Sequence, residues 1–404
     1  LKRAISPFEG DYPMKKTLMA LAMATLASGG ALAIDLNDDG SLKLTGFYSL
    51  TAARVLSGSA QGSSTPWTYQ QWKCPCTIQA WEYAAVYEKD KGWQFDQESL
   101  AGIQIKKEFS PTFSATAQLV SRANNPNAGS RPTVDWAYVS WQPSADSNWT
   151  FQAGKFRIPL YYYSDYLYIG YAYPWVRPMP DVYGWPIYAY EGVNASYRTQ
   201  LGASDWAATF HAWSGGYTQK NDAYDTRIYW TDPTHESWKN IVGGSIAANN
   251  GVFDVRAMMM WYKDTLWQSK PDGSRNILLQ IEDQSTRIMG LSANMDYKNW
   301  LIKTELDRYE QVDAGKGLNN IYKYALVSVG YQYGAWTPAY SQSRYRTVAA
   351  PIEGRDTRYL SLRWDFRKNT SLKVQYDISK DKTEYAYPFF GDSKLLSVSL
   401  QGIF

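Results

Sequence analysis

The sequence predicts an all-β fold: a transmembrane antiparallel β-barrel of about sixteen strands. Three observations predict it. From Ser41 onward the chain is a succession of segments of about ten residues, long enough to cross a bilayer as tilted strands, and the clearest of them alternate apolar with polar. The connectors between these segments are alternately short and long. The chain then finishes in mid-strand on "LLSVSLQGIF", where Leu396, Val398, Leu400 and Phe404 share one parity. In an open sheet that strand would be a bare edge; closed onto the first strand, around 42–55, it has none.

Composition narrows the class. The chain has 404 residues, yet 16% are aromatic, with 33 Tyr and 18 Trp. Mean hydropathy is −0.45. Lys and Arg number 41 against 38 Asp and Glu, a balance that excludes a strongly basic nucleic-acid binder and an acidic disordered chain. The surplus of Tyr and Trp favours strands and aqueous–apolar boundaries, where a ring has one wet end.

Taken in order, residues 1–13 read as an extension upstream of the natural start. Residues 14–33 read as a secretory signal peptide: Met14-Lys15-Lys16, a short apolar run, then Ala31-Leu32-Ala33. Cleavage there removes four of the 41 basic and two of the 38 acidic residues and leaves 37 against 36. After residue 33 no apolar run is long enough for a membrane helix, so the exported chain is soluble outside the inner membrane or crosses a membrane as strands. No linker interrupts 34–404, which is expected to be one barrel domain. "NDDG" at 37–40 holds part of a calcium-loop pattern but lacks the remaining ligands, and reads as the turn that launches the first strand. Cys74 and Cys76 flank a proline; a disulfide there would close a small strained ring, and a bonded pair and two free thiols both stay open.

The strand segments justify themselves by parity. In "YLSLRWDFRK", Leu360, Leu362, Trp364 and Phe366 oppose Ser361, Arg363, Asp365 and Arg367. In "SLKVQYDISK", Leu372, Val374, Tyr376 and Ile378 oppose Lys373, Gln375 and Asp377. "WLIKTELDR", "FDVRAMMMW", "DWAATFHAW" and "TFSATAQLVSR" repeat the plan, with aromatics near the ends of the apolar parity. Long connectors are expected at 56–98, 123–132, 158–186, 215–236, 264–284, 310–320, 347–356 and 381–392, with short turns between them.

The signal peptide, the strand plan and the terminal Phe404 together resemble a Gram-negative general outer-membrane porin, across essentially all of 34–404. That resemblance implies short periplasmic turns, long extracellular loops and homotrimers. It implies that Phe404 belongs to the signal read by the barrel-assembly machinery, and that lipid and lipopolysaccharide surround the barrel. "TFQAGKFRIPLYYYSDYLYIGYAYPWVRP" is similar to the start of the family's third loop, which folds into the lumen and narrows it. The function it implies is passive diffusion of small hydrophilic solutes and ions.

Selectivity in such a hole comes from charge where it is narrow. If 158–186 folds inward, Asp165, Arg177 and Asp181 are its charges, with Tyr163 and Tyr166 among its many rings. Those rings either form a slot for flat or sugar-like solutes or pin the loop against the wall, the more ordinary use of buried aromatics. Arg122, Lys155, Arg157, Arg256 and Arg363 are the expected pore-lining cations. No catalytic, cofactor or metal pattern is present: there is no P-loop or H-E-x-x-H, and only two histidines, His211 on the inward parity and His235 in an expected loop. A barrel-embedded hydrolase and a secreted β-rich binding protein are the rival readings.

Overall fold

In a computed structural model of the chain, residues 33–58, 76–80, 85–124, 131–184, 187–202, 204–220, 233–270, 272–312, 319–348, 352–384 and 391–404 are described. The signal peptide, the upstream extension and Cys74 lie outside the described residues, as does the side chain of Cys76.

Period-two segments become sixteen long antiparallel strands that close on themselves. They are β1 (Leu42–Gly58), β2 (Leu100–Ser110), β3 (Phe113–Arg122), β4 (Thr133–Trp141), β5 (Trp149–Arg157), β6 (Ala189–Gln200), β7 (Ala207–Gln219) and β8 (Thr234–Asn249). The second half comprises β9 (Phe253–Ser269), β10 (Arg275–Tyr297), β11 (Trp300–Val312), β12 (Asn319–Tyr331), β13 (Trp336–Thr347), β14 (Gly354–Arg367), β15 (Thr370–Asp381) and β16 (Ser393–Ile403). Each strand pairs with its sequence neighbours, and β16 pairs with β1 from Ser393↔Gly58 to Ile403↔Phe47. Asn37 and Asp39 launch β1 as an Asx-type turn, with Asn37 Oδ1 accepting from the Leu42 amide at 2.8 Å.

The seam runs to the last residue. The Phe404 amide donates to Gly46 O at 2.9 Å and the Gly46 amide to Phe404 O at 2.7 Å. The Phe404 ring lies flat over Gly46, so close that a Cβ there would sit 2.2 Å from a ring carbon. A larger residue at 46 would have to displace that ring, and the contact ties the terminal ring to the first strand.

Parity sorts the two faces. Outward stand Leu50, Val242, Ile246, Leu291, Leu306, Val327, Leu360 and Val374, all exposed. In water such a belt would drive association; its fitting solvent is hydrocarbon. Trp300, Tyr331, Trp336 and Trp364 ring the short-turn end, with Trp336 stacked on Trp364 at 5.1 Å. Among the described residues no helix is long and apolar enough to cross a membrane.

Connector lengths follow the expected order, but several loops are shorter than the sequence implied. The expected loop 264–284 is largely strand, because β9 runs to Ser269 and β10 begins at Arg275. His235, expected in a loop, lies in β8. Alternation weakens where strands rise beyond the apolar belt, since neither face then needs to be apolar, so parity alone ends these strands too early.

Candidate functional site

The inward face is polar where the outward face is apolar, so the interior of the barrel is the candidate site. It is not filled by wall side chains alone. The connector 158–188 leaves β5 and returns to β6, with its ends tied by the Ile158 amide donating to Tyr188 O at 2.7 Å. It lacks the alternation of a strand, and among its described residues it makes two single 3-10 turns, Ser164–Tyr166 and Gly170–Ala172. Its rings are buried: Tyr163 makes edge contacts with Tyr166, Tyr173 and Trp175 at 6.0, 5.8 and 5.6 Å between centroids. Burial drives the Tyr163 and Tyr166 phenols well above their ordinary pKa, so they remain neutral. The loop is folded into the lumen.

Most of its hydrogen bonds to the wall fall in one sector, β11 to β16. Lys373 on β15 is 0% exposed. Its ammonium donates to three loop carbonyls, Gly170 at 2.6 Å, Tyr173 at 2.6 Å and Trp175 at 2.8 Å. Gln375 accepts from the Val176 amide at 2.7 Å, and Gln401 donates to Val176 O at 2.9 Å. Glu305 on β11 accepts from the Tyr162 amide at 2.7 Å and the Tyr183 hydroxyl at 2.6 Å. The Trp175 indole donates to Ser341 at 2.7 Å. Every acceptor or donor here is an inward-parity residue, so the alternation that builds the barrel also builds the dock.

The structure separates the expected constriction charges. Arg177 is 4% exposed. It is locked by Glu98 at 2.6 Å, Asp377 at 2.8 Å and Ser397 at 2.8 Å. Burial opposes its charge, but Glu98 and Asp377 outweigh that and hold its pKa well above the ordinary value. Asp181 is 2% exposed, paired with Arg355 and accepting from Ser343 at 2.6 Å. Arg177, Asp181, Tyr163 and Tyr166 are thus parts of the dock and not an aqueous constriction, a correction that follows from their burial. Asp165 alone of the three charges is exposed, within electrostatic reach of Arg256 and Arg157.

The wall cations divide as well. Arg256 on β9 is half-buried on the inward face and donates to Pro159 O at the root of the loop. Arg363 holds the loop through Tyr171 O at 2.8 Å. Arg122 meets Tyr168 Oη at the loop's edge. Arg157 is buried, donating to Ser164 O at 2.9 Å and pairing with Asp135 at 2.8 Å. Lys155 is corrected: it shares the outward parity of the exposed Phe151 and donates to Val134 O at 2.9 Å, so it does not line the lumen.

Sequence reasoning missed a second inward segment. Residues 85–98 of the first long connector lie against the inner wall of β1 and β16, where Tyr87 packs on Ala53, Val55 and Leu395. Tyr87 donates to Glu98 at 2.6 Å, and Glu98 in turn receives Arg177. The two connectors therefore meet at one buried charge cluster. The signal available was weak: Glu98 and Asp377 lie far from Arg177 in the chain. The sector opposite the dock keeps its accessible face, with His211, Arg256, Asp254 and Gln152 half-buried and Asn194 beside them on the inward parity.

Solved structures share this architecture. An outer-membrane OmpT of Vibrio cholerae aligns with a TM-score of 0.53 at 10% identity, over 92% of this chain and 100% of that one. An OmpF of Salmonella typhi solved with daunomycin gives 0.54 at 13% identity, over 92% and 100%. The chain has the fold of a sixteen-stranded outer-membrane porin. An anion-selective porin from Comamonas acidovorans gives 0.52 at 12% identity, over 90% and 99%. No protein-family model and no curated protein sequence matches the chain. At such identities the likeness is one of fold, and the porin fold here carries its own dock and its own charges.

Proposed function

We propose that this protein is an outer-membrane channel for passive diffusion of small hydrophilic solutes and ions. One observation carries the reading: the inward loop is fastened along β11–β16, while Asp165 and the half-buried Arg256 keep accessible surface on the side away from that dock. A loop fastened to one side narrows a bore, and the charges that remain wet set the field inside it. Arg177 and Asp181 act indirectly, by holding the loop in place.

The aromatic-slot alternative needs exposed ring faces. Tyr163, Tyr166 and Trp175 bury theirs, which favours packing over solute stacking. A hydrolase reading would rest on His235, whose Nε2 lies 2.7 Å from Ser269 Oγ. That pair sits near the long-connector ends of β8 and β9, with the imidazole stacked on Trp267 at 5.3 Å, away from the lumen's exposed charges. In our reading the chain is exported through a cleaved signal peptide, lives in the outer membrane with its long connectors outward, and assembles as a homotrimer.

Reconstitution in planar bilayers tests the proposal. Stepwise ohmic conductance, with a reversal potential in a salt gradient, is expected. Silent membranes from correctly folded, heat-modifiable protein would overturn it, and hydrolysis of an ester substrate lost in His235→Ala would favour the enzyme.

A further inference from the structure

The first long connector fills a gap that the strands leave in the wall. β1 runs to Gly58, but β2 begins at Leu100 and pairs only with Leu42–Ser49. Beyond Ser49, β2 offers that side of β1 no partner, and the connector takes its place. Gln94 and Ala53 exchange both backbone hydrogen bonds, at 2.9 and 3.0 Å, and the Thr51 amide donates to Ser99 Oγ at 3.0 Å. A few bonds thus stand where a full ladder would run, the mark of a segment that opens more readily than its surroundings.

The same connector reaches inward. Its hairpin of Cys76–Ala80 and Ala85–Glu88 brings in Val86 and Tyr87, both buried. Gln94 fastens the hairpin through Glu88, donating to its carbonyl at 3.0 Å and accepting from its amide at 3.3 Å. Gln97 Oε1 accepts from the Val86 amide at 3.1 Å. Glu98 then serves both connectors with one carboxylate. Tyr87 Oη donates to it at 2.6 Å, and Arg177 Nε donates to its two oxygens at 2.6 and 2.7 Å. The Arg177 guanidinium also lies 5.9 Å from the Tyr87 ring centroid. Neither connector can leave alone without splitting this desolvated ion pair. On the other side, Trp93 and Phe95 flank the inward Gln94 and are exposed, as alternation along an extended segment requires.

We infer that residues 85–98 are a latch: the first connector and the inward loop open as one unit, joined by Glu98 and Arg177, so that freeing Gln94 from β1 frees the loop that narrows the bore. Such coupling is reciprocal, and loosening the loop loosens the connector. The inference deepens the channel reading by naming what regulates the bore, and rests on that reading only for its effect on conductance.

Hydrogen exchange on the refolded full chain tests the latch, read at the Val86 and Val176 amides. Gln94→Ala removes two side-chain hydrogen bonds, neither of them to the loop. Exchange at Val86 should accelerate by roughly 10- to 100-fold, and at Val176 by the same factor. In Glu98→Leu, which removes the shared carboxylate, adding Gln94→Ala should no longer move Val176. The reverse arm is Lys373→Met, whose lost bonds are all to the loop and which should accelerate Val86. Heat-modifiable migration shows that each variant folds, and the reverse arm decides the matter if Gln94→Ala does not fold. Acceleration at one amide alone, acceleration at neither, or a response of Val176 that persists undiminished in Glu98→Leu would each overturn the latch. In bilayers Gln94→Ala should visit a wider, noisier conductance more often. Coupled exchange beside silent membranes would uphold the latch and overturn the channel; uncoupled exchange beside wild-type conductance would overturn the latch alone.

Discussion

Replacing Lys373 by Met should unfasten the inward loop while sparing the barrel. The ammonium is wholly buried, donates to three carbonyls within 2.8 Å and lies 5.1 Å from the Tyr173 ring centroid. Methionine fills much of the same volume but donates nothing, so Gly170, Tyr173 and Trp175 each lose a charge-assisted partner. Each buried carbonyl left unpaired costs about 1–3 kcal/mol, and releasing the ammonium from its desolvated site returns part of the sum. Three such losses, less the desolvation returned by the ammonium, leave a net cost of about 3–5 kcal/mol. The wall ladder of β15 stays intact, so the loss falls on the docked loop. At about 1.4 kcal/mol per tenfold, the open population of the loop should rise by roughly 10²- to 10⁴-fold. Hydrogen exchange reads this directly at the Val176 amide, which is bonded to Gln375 at 2.7 Å and adjoins the released segment. Faster exchange across 170–176, with β14–β16 amides unchanged, is expected, together with larger and noisier single-channel conductance. Wild-type protection at Val176 would refute the dock, because a loop that does not need Lys373 is held by something other than these contacts.

Further outcomes follow from the same geometry. Leu362→Arg, on the outward parity of β14 and 39% exposed, should cost about 2–4 kcal/mol in folding titrations into lipid if it lies near the midplane. Ser361→Arg, on the opposite parity but 6% exposed beneath the loop, should leave the barrel folded and disturb the dock. Gly46→Ala must displace the Phe404 ring and should lower barrel stability by about 1–3 kcal/mol, with a matching fall in folded yield when Phe404 is deleted. Asp165→Asn should move the reversal potential toward anions and Arg256→Gln toward cations, both effects shrinking in 1 M salt, where the screening length is about 3 Å. Glu353 lies in the connector before β14, where burial, reinforced by Asp381, raises its pKa to about 7. The folded state then holds this proton longer than the unfolded chain does. The contribution is full below pH about 4.5 and declines as pH rises through about 7. Glu353→Gln should flatten the stability profile across that interval.

What the sequence displays and what it conceals divide along a physical line. The barrel is legible because lipid imposes one rule on every strand: Leu360, Leu362 and Trp364 must face out, whatever their neighbours do. The strand ends are less legible, since above the belt the rule lapses, as 264–284 shows. The inward loop is visible as an absence of alternation with an excess of rings. Its chemistry is not, because Arg177 can be an aqueous selectivity charge or a buried bolt, and the decision rests on Glu98 and Asp377, one from the first long connector and one from β15. Lys373 stood on the inward parity of an evident strand, but parity says only that a residue faces the interior, never whether water or loop meets it there. Asp165 and Arg177 differ in just that respect. The selectivity of this chain should therefore follow the few charges its own packing leaves wet, and counting charges in the loop sequence would assign it three where the fold exposes one.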